Sequence, residues 1–314
     1  PSPSSITINL PPSPPLRPHN ILPSPSFPPS SPSSPTPGLG LSHVSHLLPI
    51  YSCKGGVGKS TLTASLASSL RARGLDVGVL DLDVHGPSLP NLLDVPVRTV
   101  ERCREREGNV MPLVTRSGIK AMSLGYMNPA PPSSSSSHTP DPLPTPVRGP
   151  LASRLTTHLL TTTTWGPLDI LLLDLPPGTS DVHLSLAQSV QLSGSVIVTT
   201  PGRLSGTEAR KGTRFFRDLG VETVAVVENM SYYIIPDDVG GSNSSDTNTP
   251  STTPPRRRVV EMFGPGGREM EGIATYPGAP KVRLPMSPTF GECMEEGEVF
   301  VDRVRRRRGR EGGG

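Results

Sequence analysis

The chain has 314 residues, a net charge of +3, a hydrophobic share of 33% and only 4% aromatic residues. Proline (40) and glycine (32) make up nearly a quarter of it, close to the level of low-complexity chains, and no run approaches the ~18 apolar residues of a helical membrane span. A uniformly packed 314-residue fold is excluded, because the biased residues are clustered: the first 40 residues hold 14 Pro and 10 Ser, and 129–147 and 237–258 are similar. Setting these aside with the basic Gly/Arg tail 301–314 leaves roughly 210 residues of ordinary composition, room for one α/β domain with its own core.

In chain order, residues 1–45 read as a disordered Pro/Ser-rich leader. No acidic residue occurs before Asp76, and Arg17 is the only Arg or Lys before Lys54. Ser-rich, acid-poor leaders suggest a transit segment, although the proline content prevents an amphipathic helix. The domain proper is expected over 46–300. Residues 47–52 make a poor first strand, because Pro49 removes a ladder donor. A Gly-rich loop follows, then a helix with Leu62, Leu66 and Leu70 on one face and Gly74 as its C-terminal stop. Residues 76–82 read as a buried strand, 109–124 as two short strands about Ser117-Gly118, 148–164 as a helix and 168–174 as an apolar strand ending in Asp. A helix starts at Asp181, a strand covers 194–200, a helix 204–219, a strand 221–228, and a last short strand lies near 281–286. Alternating strands and helices, with strands apolar on both faces, predict an α/β fold: a mostly parallel sheet flanked by helices. The inserts at 129–147 and 237–258 are expected to be surface loops.

Charge and cysteine usage narrow the function classes. The basic runs Arg256–Arg258 and Arg305–Arg308 read as solvated segments, so no nucleic-acid or membrane contact is assigned to them. Three scattered cysteines, Cys53, Cys103 and Cys293, do not make a disulfide framework and suit a reducing compartment.

The chemistry sits in Cys53-Lys54-Gly55-Gly56-Val57-Gly58-Lys59-Ser60-Thr61, placed between a strand and a helix. Glycines let backbone N–H groups curl around phosphate oxygens, and the helix N-terminus adds its positive end. Lys59 is placed to reach the β- and γ-phosphates and Ser60 to coordinate Mg²⁺. The plain pattern's first glycine is missing, so this is a P-loop NTPase motif of the deviant KGGxGKST form, with a second lysine at Lys54. Asp174, ending its strand, is expected to reach Mg²⁺ through water. Gly178 is expected to offer an N–H to the γ-phosphate. Of Asp81 and Asp83, either can orient the attacking water; Asp83, beyond the strand, is preferred.

CKGGVGKST, DLDVHGPSLP, the RGP at 148–150, DLPPGTSD, VTTP and VENMS together resemble the Mrp/ApbC class of ParA/MinD-type P-loop ATPases. LLTTTTWGPLDILLLDLPPGT further resembles the chloroplast iron–sulfur scaffold branch. The resemblance implies a homodimer that binds and hydrolyses ATP with Mg²⁺ and carries a [4Fe-4S] cluster to apoprotein recipients, in the plastid, with mitochondrion or cytoplasm as alternatives. It implies that Lys54 crosses to the partner's nucleotide, that Gly55 to Thr61 form the phosphate loop, that Asp83 and Asp174 belong to two switch segments, and that Asn229 reads the adenine. Three departures stand out. The Cys-x-x-Cys that usually follows ENMS is replaced by Ser231-Tyr232-Tyr233-Ile234-Ile235-Pro236, which leaves Cys53 and Cys293 as the candidate cluster ligands. Ser180 and Gly202 replace the usual Gly and Gln. Two other classes remain open: a nucleotide-gated interaction protein carrying no cluster, and a positioning ATPase on DNA or membrane, against which the GPS segment and the Gly/Arg-rich C-terminus speak.

Overall fold

The computed structural model describes residues 39–84, 86–127, 149–236, 257–261, 263, 267, 270–287, 289, 292, 293 and 303. The leader up to residue 38, the 129–147 insert, residues 237–256 of the second insert and all of the tail but Arg303 lie outside the described residues.

After a short 3-10 turn at Leu39–Leu41 the elements are β1 (Val44–Tyr51), α1 (Lys59–Arg71), β2 (Val77–Asp81), α2 (Leu89–Leu92), β3 (Leu113–Val114), β4 (Lys120–Ser123), α3 (Leu124–Met127), α4 (Gly149–Thr162), β5 (Leu168–Asp174), α5 (Asp181–Ser189), β6 (Ser195–Thr199), α6 (Arg203–Asp218), β7 (Thr223–Pro236), β8 (Arg257–Val260) and β9 (Lys281–Met286). Among the described residues the strands form one sheet in the order β3-β4-β2-β5-β1-β6-β7-β8, with β9 paired to β7. The β3–β4 and β7–β8 pairs are antiparallel and the others parallel. The α/β class and its mostly parallel sheet are therefore as expected.

The sheet is covered on both faces, as its continuous apolar strands require. Leu80, Leu171 and Leu173 pack with Leu159 and Leu160 of α4, Leu186 of α5 and Phe216 of α6. Val79 and Leu172, facing the other way, pack with Ala64 and Ala67 of α1 and with Leu89 and Leu92 of α2. On α1 the expected Leu62, Leu66 and Leu70 are only half-buried; its deepest positions are Thr63, Ala64, Ala67 and Ser68. Small side chains there bring the helix axis close to the sheet.

Two expectations about strands are corrected. β1 is a central strand despite Pro49. Ile50 turns its carbonyl to β5, accepting the Leu175 N–H, whereas Leu47 turns its carbonyl toward Ser193 on the β6 side. Pro49 shares the Leu47 orientation, and the β1–β6 ladder begins only at Ile50. The missing donor therefore faces a stretch with no ladder to break. β7 does not stop at Glu228 but continues to Pro236, because β8 and β9 supply partners for its second half. Arg257 and Arg258, expected within a loop, begin β8.

α6 lies on β1 through Gly212. A Cβ there would collide with the Tyr51 ring and come within 2.7 Å of Cys53 Sγ. Helix propensity alone favours alanine over glycine by ~1 kcal/mol, but overpacking a filled interface costs ~1–3 kcal/mol. Gly212→Ala is expected to lower the midpoint of urea unfolding; a raised midpoint would show that the interface yields.

Candidate functional site

The strands of a parallel sheet all present their C-terminal ends at one edge, and ligands bind there. Here that edge gathers Ser52 after β1, Asp81 ending β2, Asp174 ending β5 and Glu228–Asn229 in β7. Register sets their level: Ile50 and Asp81 both lie opposite Asp174.

The glycine loop runs from β1 to α1. Gly56 and Gly58 take φ of 77° and 82°, left-handed values that glycine adopts without steric cost. Gly58 caps α1 and has no room for a Cβ, because the Asn229 amide lies against it. Ser52 Oγ donates to the Lys54 carbonyl at 3.1 Å, closing the turn. Lys54, Gly55 and Gly56 are exposed, Val57 is buried, and Gly58, Ser60 and Thr61 are half-buried. The first N–H groups of α1 have no helical acceptor and point with the positive helix end into the loop, which suits an anion.

Beneath the loop is a buried ion pair. Lys59 Nζ lies 2.6 Å from Asp174 Oδ1, with the side chains 7% and 0% exposed. Thr63, one turn along α1, donates to the same oxygen at 3.0 Å. Asp174 Oδ2 is buried with no hydrogen-bond partner among the described residues. Lys59 also approaches Ser60 Oγ at 3.4 Å. The Ser60 hydroxyl and the orphaned Asp174 oxygen, on two side chains that both meet Lys59, are hard oxygen donors of the kind that Mg²⁺ takes.

The two aspartates after β2 differ. Asp81 is buried and accepts the N–H groups of Asp83 (3.1 Å) and Leu89 (3.2 Å) and the Ser123 hydroxyl (3.2 Å). Burial, and next the charge of Asp174, push its carboxyl well above the usual carboxylate range. Asp83 is half-buried and accepts the Gly86 N–H at 3.3 Å. It lines a cleft of about 540 Å³ with Val84, Ala152, Pro176, Pro177 and Val182. Asp81 is thus tied into the fold, while Asp83 faces a space that a water can enter.

Several expected contacts are otherwise engaged. The Gly178 N–H, expected to face a γ-phosphate, donates to the Ser52 carbonyl at 3.0 Å. That bond straps the segment after β5 to the segment after β1. Asn229 Nδ2, expected at an adenine, donates to the Val57 carbonyl at 2.9 Å. The Cys53 thiol turns away from the loop and donates to the Glu208 carbonyl of α6 at 2.7 Å, with Tyr51 Oη at 3.1 Å; burial raises its pKa. Cys293 is fully buried and Cys103 half-buried. Among the described residues no three His, Cys, Asp or Glu side chains are grouped to hold a metal ion.

Ser180 caps α5 in a reciprocal capping box with His183, so the serine does chemistry that glycine cannot. Gly202 caps α6 at φ 115°, a conformation glutamine would rarely adopt. Thr63, His183 and Glu228 were not anticipated as site residues. Thr63 had a signal, its place four residues after Lys59 on the same helix face.

The family model described as ParA, NUBPL iron-transfer P-loop NTPase, matches residues 43–244. The iron-sulfur cluster carrier protein of Aquifex aeolicus is 40% identical over 195 residues, covering 62% of this chain and 50% of that one. The chloroplastic Fe-S cluster assembly factor HCF101 of Arabidopsis thaliana is 41% identical over 195 residues, covering 62% and 34%. The chain thus spans between a third and a half of the length of these two relatives. In structure, the Archaeoglobus fulgidus nucleotide-binding protein in complex with ADP superposes with a TM-score of 0.63 at 28% identity, covering 83% of this chain and 90% of that one.

His183 gives the site a pH signature. It is fully buried, its Nδ1 takes the Ser180 N–H at 3.2 Å, and burial lowers its pKa from 6.5 to about 4. Between those values the unfolded chain binds the proton and the folded chain does not, so stability falls as pH falls from 6.5 toward 4. His183→Gln retains a capping-box acceptor and cannot titrate. Its melting temperature is expected to change less than the wild type's across that window; parallel curves would remove His183 as a cause.

Proposed function

The chain belongs to the ParA family of NUBPL iron-transfer P-loop NTPases, and on that premise we propose that it binds and hydrolyses Mg-ATP at the glycine loop and uses the cycle to carry iron–sulfur clusters to apoproteins. The observation that carries the nucleotide half is the buried Lys59–Asp174–Thr63 group under a helix N-terminus entered through two left-handed glycines.

In this mechanism the N–H groups of Gly55 to Thr61 hold the phosphates. A polyphosphate competes with Asp174 for the Lys59 ammonium, so Lys59 exchanges one anion for another without becoming unpaired. Ser60 and Asp174 hold Mg²⁺, which when bound neutralises charge on the β- and γ-phosphates. Asp83 orients the attacking water, and the products are ADP and phosphate. The Gly178 N–H reaches the γ-phosphate only by releasing the Ser52 carbonyl, so the strap after β5 reports the third phosphate. Lys54 is exposed at the loop mouth and is assigned to a facing subunit's nucleotide in a homodimer. The Arabidopsis relative's chloroplastic description and the acid-free leader support a plastid address; a fluorescent fusion retained outside chloroplasts would overturn it.

Cluster carriage, of the [4Fe-4S] type, is assigned to Cys53 and Cys293. Iron takes thiolates, so Cys53 must leave Glu208 and lose its proton before it can ligate. That engagement also favours a second reading, a nucleotide-gated interaction protein without a cluster. Anaerobic reconstitution with iron and sulfide separates the two: a brown chromophore lost in Cys53→Ser supports carriage, and a colourless wild type supports the second.

Lys59→Ala is expected to abolish nucleotide binding in a fluorescent-nucleotide titration. Lys54→Ala should leave affinity intact and lower hydrolysis by about 10²-fold, the scale for loss of one charge-stabilising donor. Normal turnover in Lys54→Ala would remove the cross-subunit role.

A further inference from the structure

Within β7, Glu228 is a charged residue in an otherwise apolar run, and it is fully buried. Both carboxylate oxygens accept the Gly267 N–H at 3.1 Å. Oε1 also lies 2.8 Å from Ser231 Oγ and accepts Arg283 Nε at 3.2 Å. Arg283 in turn donates to Glu261 at 2.7 Å and stands over the Tyr232 ring, 5.7 Å from its centroid. One carboxylate therefore ties β7 to the turn at Gly267 and to β9, with the residue after β8 joined through Arg283.

The network closes around a bulge. Glu228 lies opposite Arg283 and Tyr232 opposite Pro285, so β7 takes four steps where β9 takes two. Met230, inside the bulge, has a φ of 57°, alone among the described non-glycine residues in being positive. A bulge re-aims the side chains it carries, and here it sends Asn229 to the Val57 carbonyl of the glycine loop. Burying a carboxylate is costly unless it is paired, and an apolar residue would serve a plain strand. The strained Met230 backbone likewise persists only where the surroundings hold it.

We propose that Glu228 is a positioning residue for nucleotide binding: by closing the β7 bulge it aims Asn229 at Val57 and so sets the curvature of the glycine loop. This rests on the nucleotide reading of that loop. It makes the turn at Gly267 and strand β9 part of the nucleotide site without touching the nucleotide, because they supply groups that hold Glu228.

The test is a double-mutant cycle on the full chain, reading affinity for a fluorescent Mg-ATP analogue and, separately, melting temperature without nucleotide. Glu228→Gln and Asn229→Ala are each expected to weaken binding about ten-fold, with the double variant no weaker than the worse single one, as for residues acting in one network. If Glu228→Gln lowers the melting temperature but binds within two-fold of wild type, or if the two losses multiply, the positioning role is overturned while the nucleotide site stands. If Glu228→Gln does not fold, Ser231→Ala removes one bond to the same carboxylate. It should weaken binding in the same direction, and unchanged affinity overturns the proposal. A wild type that binds the analogue no better than Lys59→Ala overturns the nucleotide reading, and this inference with it.

Discussion

A single ammonium paired with a buried carboxylate is the constraint around which this edge of the sheet is arranged. Lys59 and Asp174 meet at 2.6 Å almost out of contact with water, and removing each charge from water costs several kcal/mol even after relaxation. Asp81 stands on the neighbouring strand at the same level, opposite Asp174, so a second acid lies next to the pair. Burial resolves the imbalance by holding the Asp81 carboxyl up, while three donors fix its oxygens. Such a group adds little net stability compared with an apolar core. What it does is define one arrangement of strand ends, and leave a cation whose partner can be replaced by a stronger anion.

That arrangement follows from the parallel sheet. Lys59 and Asp174 are 115 residues apart in the chain, and only the β1–β5 and β2–β5 registers bring them level. A slip of one residue in β5 would turn Asp174 to the other face and bury a leucine in its place. The same edge carries the Gly178 strap and the Asn229 contact, so the loop is held from β1, β5 and β7 together. Loss of any one leaves the glycine backbone, with its wide conformational freedom, to find the phosphate geometry by itself.

Much of this was legible in the sequence where one element speaks for itself. The runs of β5 and β9 and the start of α5 fall at the residues expected for them, β5 because its apolar run is unbroken. Lys59, Ser60 and Asp174 were legible because strand, loop and helix spacing constrain them locally. Pairing with distant carbonyls was not. The motif places Gly178 and Cys53, but not the Ser52 and Glu208 carbonyls that accept their hydrogen bonds. Pro49 argued against a strand until the side of its missing donor was known. Glu228 carried a signal, a charge inside an apolar strand, yet its partners Gly267 and Arg283 lie 39 and 55 residues on. Ser180 and Gly202, departures from the family pattern, each turn out to meet a local backbone demand.

Pro49 also leaves a crease in the sheet. β1 is laddered to β5 from Val44 to Ile50, but to β6 only at Ile50 and Tyr51. On one side of that short join lie the strands bearing the ammonium and the acids; on the other lie β6 to β9 with Asn229. The Asn229–Val57 bond is a stitch across the crease. Sheets open first where few bonds cross, so a ligand that tightens or loosens this stitch acts on a line along which the two halves of the sheet can flex.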